Sequence, residues 1–142
     1  MKKPIKKPKH KSVASLKKQL WPIFSHYIRL RDCLRTQNDP DMGNCITCGR
    51  LVRRTQADAG HFIRREFNGT LFDETNVHLQ CKLCNGYHGG EQLKYRREII
   101  RLYGEGYDVE LEGRAAPTKQ FSIPELEELK ENFKQKIKEL EE

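Results

Sequence analysis

Two Cys-x-x-Cys pairs constrain the fold of this chain more than any other feature of its sequence. The first pair is Cys45 and Cys48, and the second is Cys81 and Cys84, with 32 residues between the pairs. Structural disulfides are rare in a reducing compartment, where thiolates paired in this way usually bind a metal ion. Four thiolates close a tetrahedral zinc site without an open position, so we expect one structural Zn²⁺. The alternative is a redox dithiol or buried free cysteines, and the fifth cysteine, Cys33, is predicted to be a buried core residue.

Charge and hydropathy exclude several classes of protein. The chain has 142 residues with 27 Lys and Arg against 20 Asp and Glu, and residues 1–31 contain ten basic residues but no acidic one. We expect residues 1–11 to be a disordered basic arm and residues 12–142 to form a single domain. No apolar run is long enough for a membrane span or a secretory signal, so we expect a cytoplasmic protein that does not enter a membrane.

Hydrophobic periodicity predicts a small α+β domain. Apolar residues recur at three- and four-residue spacing from about Ser12 to Arg35, which predicts a helix that Pro22 either kinks or delays. Alternating segments between the cysteine pairs predict two strands that are too short to be stable without the metal. The strands are Ala59–Ile63 and Val77–Gln80, within a zinc-clamped core of 45–90. Two later helices are predicted at 91–103 and 122–142, with a loop through Gly113 and Pro117 between them. The last helix starts with a capping box at Ser122 and Glu125.

A histidine and two asparagines stand in a distinctive arrangement around the cysteines. His61 falls on the first predicted strand, Asn76 precedes the third cysteine by five residues, and Asn85 directly follows the fourth. This arrangement resembles the HNH nucleases, also called ββα-metal or His-Me finger nucleases. The resemblance implies a zinc-braced ββα-metal core flanked by helices, with His61 as the first motif residue, Asn76 as the second and Asn85 as the third.

Further segments extend the resemblance to one family over nearly the whole chain. The sequence is similar to the NinG/Rap recombination proteins of lambdoid phages and related prophages. That similarity implies a metal-dependent structure-specific endonuclease, encoded by a phage or prophage, that hydrolyses phosphodiester bonds in branched DNA such as Holliday junctions and D-loops. The segments that carry it are Asp58-Ala-Gly-His61, Leu71-Phe-Asp-Glu74, Asn76-Val-His-x-Gln-Cys81, Cys84-Asn85 and Tyr95-Arg96.

The side chains of this arrangement suit phosphodiester hydrolysis. An imidazole is the natural general base near neutral pH, so His61 is predicted to activate water. A single catalytic Mg²⁺ or Mn²⁺ would prefer oxygen ligands, for which the candidates are Asn85 and Asp58. Asn76 is predicted to hydrogen-bond the backbone beside His61 and to fix its ring. Many HNH nucleases have Asp directly before the histidine, whereas here Gly60 stands there, and on an ideal strand Asp58 and His61 point to opposite faces.

Two more histidines and many cations are candidates for contacts with metal or DNA. His78 could bind metal or phosphate, or pack within the hairpin, and His88 could contact a phosphate. Cationic side chains are expected to bind DNA phosphates with little sequence information. We also expect a homodimer, because symmetric cutting of a four-way junction needs two active sites; the apolar stripe of the last helix could form the dimer face or pack on its own core. The predicted DNA-binding residues are Lys2, Lys3, Lys6, Lys7, Arg29, Arg31, Arg64, Arg65, Arg96 and Arg97.

Two other functions remain open at this stage. One is an HNH enzyme that nicks or cuts duplex DNA at specific sites instead of cutting branches. The other is a zinc module that binds DNA without catalysis and recruits recombination proteins. The position of Asp58, three residues before the histidine, favours this second alternative.

Overall fold

The longest element is helix α1, Val13–Gln37, in a computed structural model that describes residues 11–142. The predicted basic arm, with Lys2, Lys3, Lys6 and Lys7, lies outside the described residues except for its last residue. Ser12 starts the helix, since its side chain accepts a hydrogen bond from the Ser15 N–H at 3.1 Å. Pro22 lies within the helix and does not delay its start.

Two antiparallel hairpins follow α1. Strands β1 (Met42–Asn44) and β2 (Leu51–Arg53) form the first, and they enclose the first cysteine pair. Strands β3 (Ala57–His61) and β4 (Val77–Cys81) form the second, in a register that pairs Gly60 with His78. Both predicted strands are therefore present, two residues earlier in the case of β3, whereas the β1–β2 hairpin was not predicted. A short helix, α2 (Asn68–Leu71), lies in the connection between β3 and β4.

The remaining elements are helical. A π-helical turn, Leu83–Tyr87, follows the third cysteine and precedes helix α3, Gln92–Tyr103. Helix α4, Tyr107–Ala115, occupies a segment that was predicted as a loop, and Arg96 of α3 forms ion pairs with its acidic residues Asp108 and Glu112. Helix α5, Ile123–Glu141, has Ser122 as its N-cap, as predicted, and the Ser122 hydroxyl accepts from the Glu125 N–H. The reciprocal bond of the capping box does not form, because the Glu125 carboxylate pairs with Lys119 instead.

Hydrophobic clusters lie on both faces of the β3–β4 hairpin. On one face, Ala59 and Val77 contact a cluster built mainly from α1 and α5, which includes Phe24, Leu126 and Phe133. Of the two expectations for the apolar stripe of α5, the structure therefore fits packing on the chain's own core, where α1 covers it. On the other face, residues of α3 and α4 form a second cluster with Ile46 and Phe62. Its buried members from the two helices are Tyr95, Ile99 and Leu111. The fold is thus α+β, and no helix within residues 11–142 has the length and apolar character to cross a membrane.

Candidate active site and metal centre

The four paired cysteines converge. The Sγ atoms of Cys45, Cys48, Cys81 and Cys84 all lie within 4.8 Å of one another, close enough to bind a metal ion such as zinc. Burial raises the pKa of the Cys45 thiol, but hydrogen bonds from the Cys81 N–H and the Thr47 hydroxyl outweigh burial and lower this pKa to about 6. Cys33 of α1 is fully buried against Ala57 of β3 and Leu79 of β4, as predicted for a core residue.

His61 ends β3 at the wall of a cavity of about 740 Å³. Its Nε2 atom lies 3.0 Å from the carbonyl oxygen of Leu71. Because a carbonyl can only accept, Nε2 carries the proton and Nδ1 carries the lone pair. Burial lowers the pKa of His61 to about 4, and the positive charge of Arg65 contributes to this shift. The imidazole is therefore neutral near pH 7, with one nitrogen free to act as a base.

Asn76 fixes the backbone around this histidine. The residue is fully buried, and its Oδ1 atom accepts from the Ile63 N–H at 2.7 Å. Its Nδ2 atom donates to the carbonyl oxygens of Ile63 at 3.1 Å and of Thr70 at 3.0 Å. Thr70 directly precedes Leu71, whose carbonyl binds the His61 ring. Asn76 thus ties Ile63, two residues beyond the end of β3, to Thr70, the neighbour of the residue whose carbonyl binds the histidine, and this arrangement suits a positioning role.

Asp58 and Asn85 meet on the other side of the cavity. Asn85 Nδ2 donates to Asp58 Oδ2 at 3.0 Å, and both side chains line the cavity with His61. Asp58 and His61 belong to opposite faces of β3, but β3 pairs only with β4 among the described residues, and the cavity lies along its other edge. Both side chains therefore line one cavity although they belong to opposite faces of the strand.

Cationic side chains surround the cavity. Arg29, Arg64, Arg65 and Lys82 all line it, and Lys82 forms an ion pair with Asp58 at 2.7 Å. The guanidinium of Arg65 lies 4.1 Å from the centre of the Trp21 ring. The cavity thus combines a neutral imidazole, one carboxylate and several positive charges, a combination that suits an anionic substrate.

Two predicted DNA-binding arginines have structural partners instead. Arg31 is largely buried, pairs with the buried Asp32 and donates to the carbonyl oxygens of Glu74 at 2.8 Å and Val77 at 2.9 Å. Because these bonds join α1 to the β3–β4 connection and to the start of β4, Arg31 stabilises the fold. Arg96 connects α3 to α4 through its two ion pairs, whereas Arg97 is exposed on α3.

His78 is not available as an accessory ligand. It is fully buried, its Nδ1 atom lies 3.0 Å from the Tyr95 hydroxyl, and its Nε2 atom lies 2.6 Å from the Tyr103 hydroxyl. Tyr95 donates its proton to the Gly60 carbonyl, so it accepts from Nδ1, and Tyr103 donates to Nε2. Burial lowers the pKa of His78 to about 3. The packing interpretation of His78 thus fits, and His88 lies beside Glu91, outside the lining of the cavity.

Sequence analysis missed three contributors to this site. Trp21 of α1 stacks on the His61 ring, with centroids 5.3 Å apart and ring planes at 25°. Lys82 neutralises Asp58, and the Leu71 carbonyl sets the tautomer of His61. Each of these contacts joins segments distant in sequence or depends on a backbone atom, so no local pattern indicates them. For Lys82 the sequence indicates only the position near the metal centre, because this residue lies within the second cysteine pair.

Comparison with known proteins places the chain in a family. The family model described as "Bacteriophage Lambda NinG protein" matches residues 1–142. Proteins named ninG from Escherichia phage 933W and Escherichia phage lambda are each 35% identical over 97 residues, which cover 68% of this chain and 47% of the relative. The ninG protein of Salmonella phage P22 is 34% identical over 97 residues, which again cover 68% of this chain and 47% of the relative.

The chain spans about half the length of the curated relatives it matches. No solved structure matches it.

Proposed function

This chain belongs to the NinG family of bacteriophage proteins, and we propose that it is a metal-dependent endonuclease with an HNH-type core that cuts branched DNA. The observation that carries the proposal is the meeting of His61 with Asp58 and Asn85 at one cavity. These three side chains supply a base and oxygen ligands, the two requirements of metal-assisted phosphodiester hydrolysis. The β3–β4 hairpin followed by the π-helical turn and α3 supports a ββα-type core.

His61 acts as the general base. Its Nδ1 atom has no hydrogen bond within residues 11–142. Among these residues, Gln80 Oε1 is the one buried side-chain nitrogen or oxygen atom without a partner, so the unbonded Nδ1 is not a buried atom. Nδ1 therefore retains solvent access and can take a proton from a water molecule, whose oxygen then attacks the phosphorus. The P–O3′ bond breaks and the leaving O3′ takes a proton from solvent, so the products carry a 5′-phosphate and a 3′-hydroxyl.

Asp58 and Asn85 fit a hard divalent cation. Both offer oxygen atoms, and Mg²⁺ commonly takes one or two side-chain ligands and keeps several waters. The bound cation would neutralise the negative charge that develops on the phosphate and the leaving oxygen. The Nδ2 atom of Asn85 already donates to Asp58, which leaves its Oδ1 as the ligand atom. Lys82 balances the Asp58 charge and releases this carboxylate when its long, exposed side chain turns to solvent.

The positive lining of the cavity supports a nucleic acid as substrate. Arg64 and Arg65 line the same cavity as His61 and can contact phosphates near the cleaved bond, whereas Arg29, which also lines it, donates to the Arg54 carbonyl at 2.9 Å. Preference for branched DNA is part of the proposal and comes from the resemblance to recombination nucleases. Zinc bound by the four cysteines braces the site, since the second cysteine pair flanks Lys82 and directly precedes Asn85.

Cleavage of a labelled four-way junction and a matched linear duplex, with Mg²⁺ or EDTA, tests this function. Wild type is expected to cut the junction only with Mg²⁺, and His61→Ala to bind it but lose cleavage about 10²–10⁴-fold. His26→Ala is the matched control, because His26 lies outside the cavity lining and contacts Arg54 and Glu141. Equal cutting of the duplex would indicate a duplex endonuclease, and binding without cutting would indicate a non-catalytic DNA-binding protein.

A further inference from the structure

Trp21 is the aromatic residue closest to the proposed chemistry. It is the chain's one tryptophan, and α1 places it on the wall of the cavity, where its indole stacks on the His61 ring at 5.3 Å. The same indole contacts the guanidinium of Arg65 at 4.1 Å. Trp21 also lines a smaller cavity of about 250 Å³ beside Lys17 and Lys18, so it separates two concave surfaces.

One hydrogen bond alone does not fix an imidazole ring. The bond from Nε2 to the Leu71 carbonyl holds one corner of the His61 ring, but the ring can still turn about that bond. A flat surface against the ring face removes this freedom, and stacked aromatic rings also favour defined offsets. The indole of Trp21 provides that surface from α1, while the edge with Nδ1 remains open to the cavity.

We propose that Trp21 is a positioning residue that holds His61 in the orientation needed for proton abstraction, with Arg65 restraining the indole. This inference rests on the proposed function of His61 as general base. The ring contacts of Trp21 are with His61, Phe24 and Arg65, so it acts on the chemistry through His61. Arg65 covers part of the indole and, as a cation within reach of the ring, also stabilises it by a cation–π contact.

A purely structural role for Trp21 makes a different prediction. The indole also lies 6.0 Å from Phe24 of the main core, so its loss must affect packing. If packing were its only role, any side chain that fills its volume would preserve catalysis. Both Trp21→Phe and Trp21→Met are smaller than tryptophan and differ little from each other in volume, but only Trp21→Phe keeps an aromatic face. The comparison between these two variants therefore separates stacking from packing.

The first test observes the stack without DNA. Protein labelled with ¹³C in its histidine rings gives one ring signal for His61, which is identified by its loss in His61→Gln. The ring current of the indole is expected to displace that signal upfield in wild type at pH 7. Trp21→Met should remove the displacement, Trp21→Phe should keep part of it, and His26→Gln should leave it unchanged. A His61 signal that does not move in Trp21→Met would overturn the stack itself.

The second test measures cleavage of the junction. Trp21→Met is expected to lower kcat about 10–100-fold, as small misplacements of catalytic groups do, with KM changed by less than about twofold. Trp21→Phe should recover most of that loss. If Trp21→Met kept the wild-type kcat although its His61 signal had lost the upfield displacement, the positioning role would be overturned and the stack would stand.

The failures of the two proposals are distinguishable. Absence of cleavage by wild type with any divalent cation would refute the proposed function and with it the positioning role, while the spectra would still show whether the rings stack. The charged side chains that line the cavity with His61 are Arg65, Arg64, Asp58, Arg29 and Lys82, so both tests are performed at one pH and one ionic strength.

Discussion

Asn85 donates a hydrogen bond from Nδ2 to Asp58 Oδ2 at 3.0 Å, across a sequence separation of 27 residues. The bond brings a carboxylate from β3 and an amide from the π-helical turn to the same point on the cavity wall. It also orients the amide, since an Asn whose Nδ2 is bound to a carboxylate must direct its Oδ1 elsewhere. The pair is therefore an oxygen-rich site that exists only in the folded chain.

Replacement of Asp58 should weaken the binding of the divalent metal that cleavage requires. Asp58→Ala removes the one carboxylate of the pair, so the Mg²⁺ concentration for half-maximal cleavage should rise by about tenfold or more. Initial cleavage rates measured over a series of Mg²⁺ concentrations would show the shift. Glu128→Ala, on the exposed side of α5, is the matched control and should leave the Mg²⁺ dependence unchanged. An unchanged Mg²⁺ dependence in Asp58→Ala would remove Asp58 from the metal site.

Removal of a cysteine ligand should unfold the protein around the cavity and not merely lower its affinity for zinc. The second cysteine pair adjoins Asn85, and the binding free energy of a structural zinc becomes folding free energy. Cys81→Ser is expected to lose bound zinc and cooperative thermal unfolding together, as measured by elemental analysis and circular dichroism. Cys33→Ala should keep its zinc, because Cys33 lies in a separate buried cluster. Zinc retained at the wild-type ratio in Cys81→Ser would contradict a four-cysteine site.

Acid should destabilise the protein through two buried histidines. The pKa of His61 is lowered to about 4 and that of His78 to about 3, mainly by burial, whereas an unfolded histidine has a pKa near 6.5. The unfolded state therefore binds more protons below about pH 6.5, and stability present above this pH is lost as the pH falls through the folded values. Each histidine contributes about 1.4 kcal/mol per pH unit within that window.

Urea unfolding between pH 7 and 5 would measure this slope. His78→Gln should have a shallower fall of unfolding free energy with decreasing pH than wild type, by about 1.4 kcal/mol per unit at most. Cysteine protonation and zinc loss affect both proteins alike, so the comparison between them isolates the histidine. Identical slopes would mean that His78 titrates normally in the folded protein.

The sequence predicts most of the secondary structure but only part of the site. The ends of α1, β4, α3 and α5 agree with prediction within about two residues, because their apolar periodicity and caps are local signals. Helix α4 was missed since Gly113 within it suggests a loop, whereas ion pairs to Arg96 hold this short helix in place.

The candidate site shows the same division. His61, Asn76, Asn85 and the cysteines could be selected from their spacing, because that spacing is contained in 41 consecutive positions, 45–85. The stacking of Trp21 and the burial of Arg31 could not, since each depends on how α1 crosses the β3–β4 hairpin. Likewise, the free edge of β3 that lets Asp58 and His61 share a cavity is a property of the sheet and not of the strand.

The absence of an acidic residue directly before His61 has a steric cause. A Cβ atom on Gly60 would clash with the Oε1 and Cβ atoms of Gln80 on the neighbouring strand. Gln80 cannot move easily, because its Nε2 atom donates to Thr47 Oγ1 at 3.1 Å and to the Gly90 carbonyl at 3.0 Å in a fully buried position. Position 60 has no room for a carboxylate, and in the proposed site the acid is Asp58, on the same face of β3 as Gly60.

Gly60→Ala should therefore lower the free energy of unfolding by about 1–3 kcal/mol, the usual cost of overpacking. Gly113→Ala is the matched control: it meets no atom within 4 Å in α4 and should raise stability by about 0.5–1 kcal/mol. If the clash with Gln80 is the cause, the double variant Gly60→Ala/Gln80→Ala should be less destabilised than the sum of its single changes. Additive losses in urea unfolding would show instead that Gly60 is required for its backbone, and the steric explanation for the displaced acid would fail.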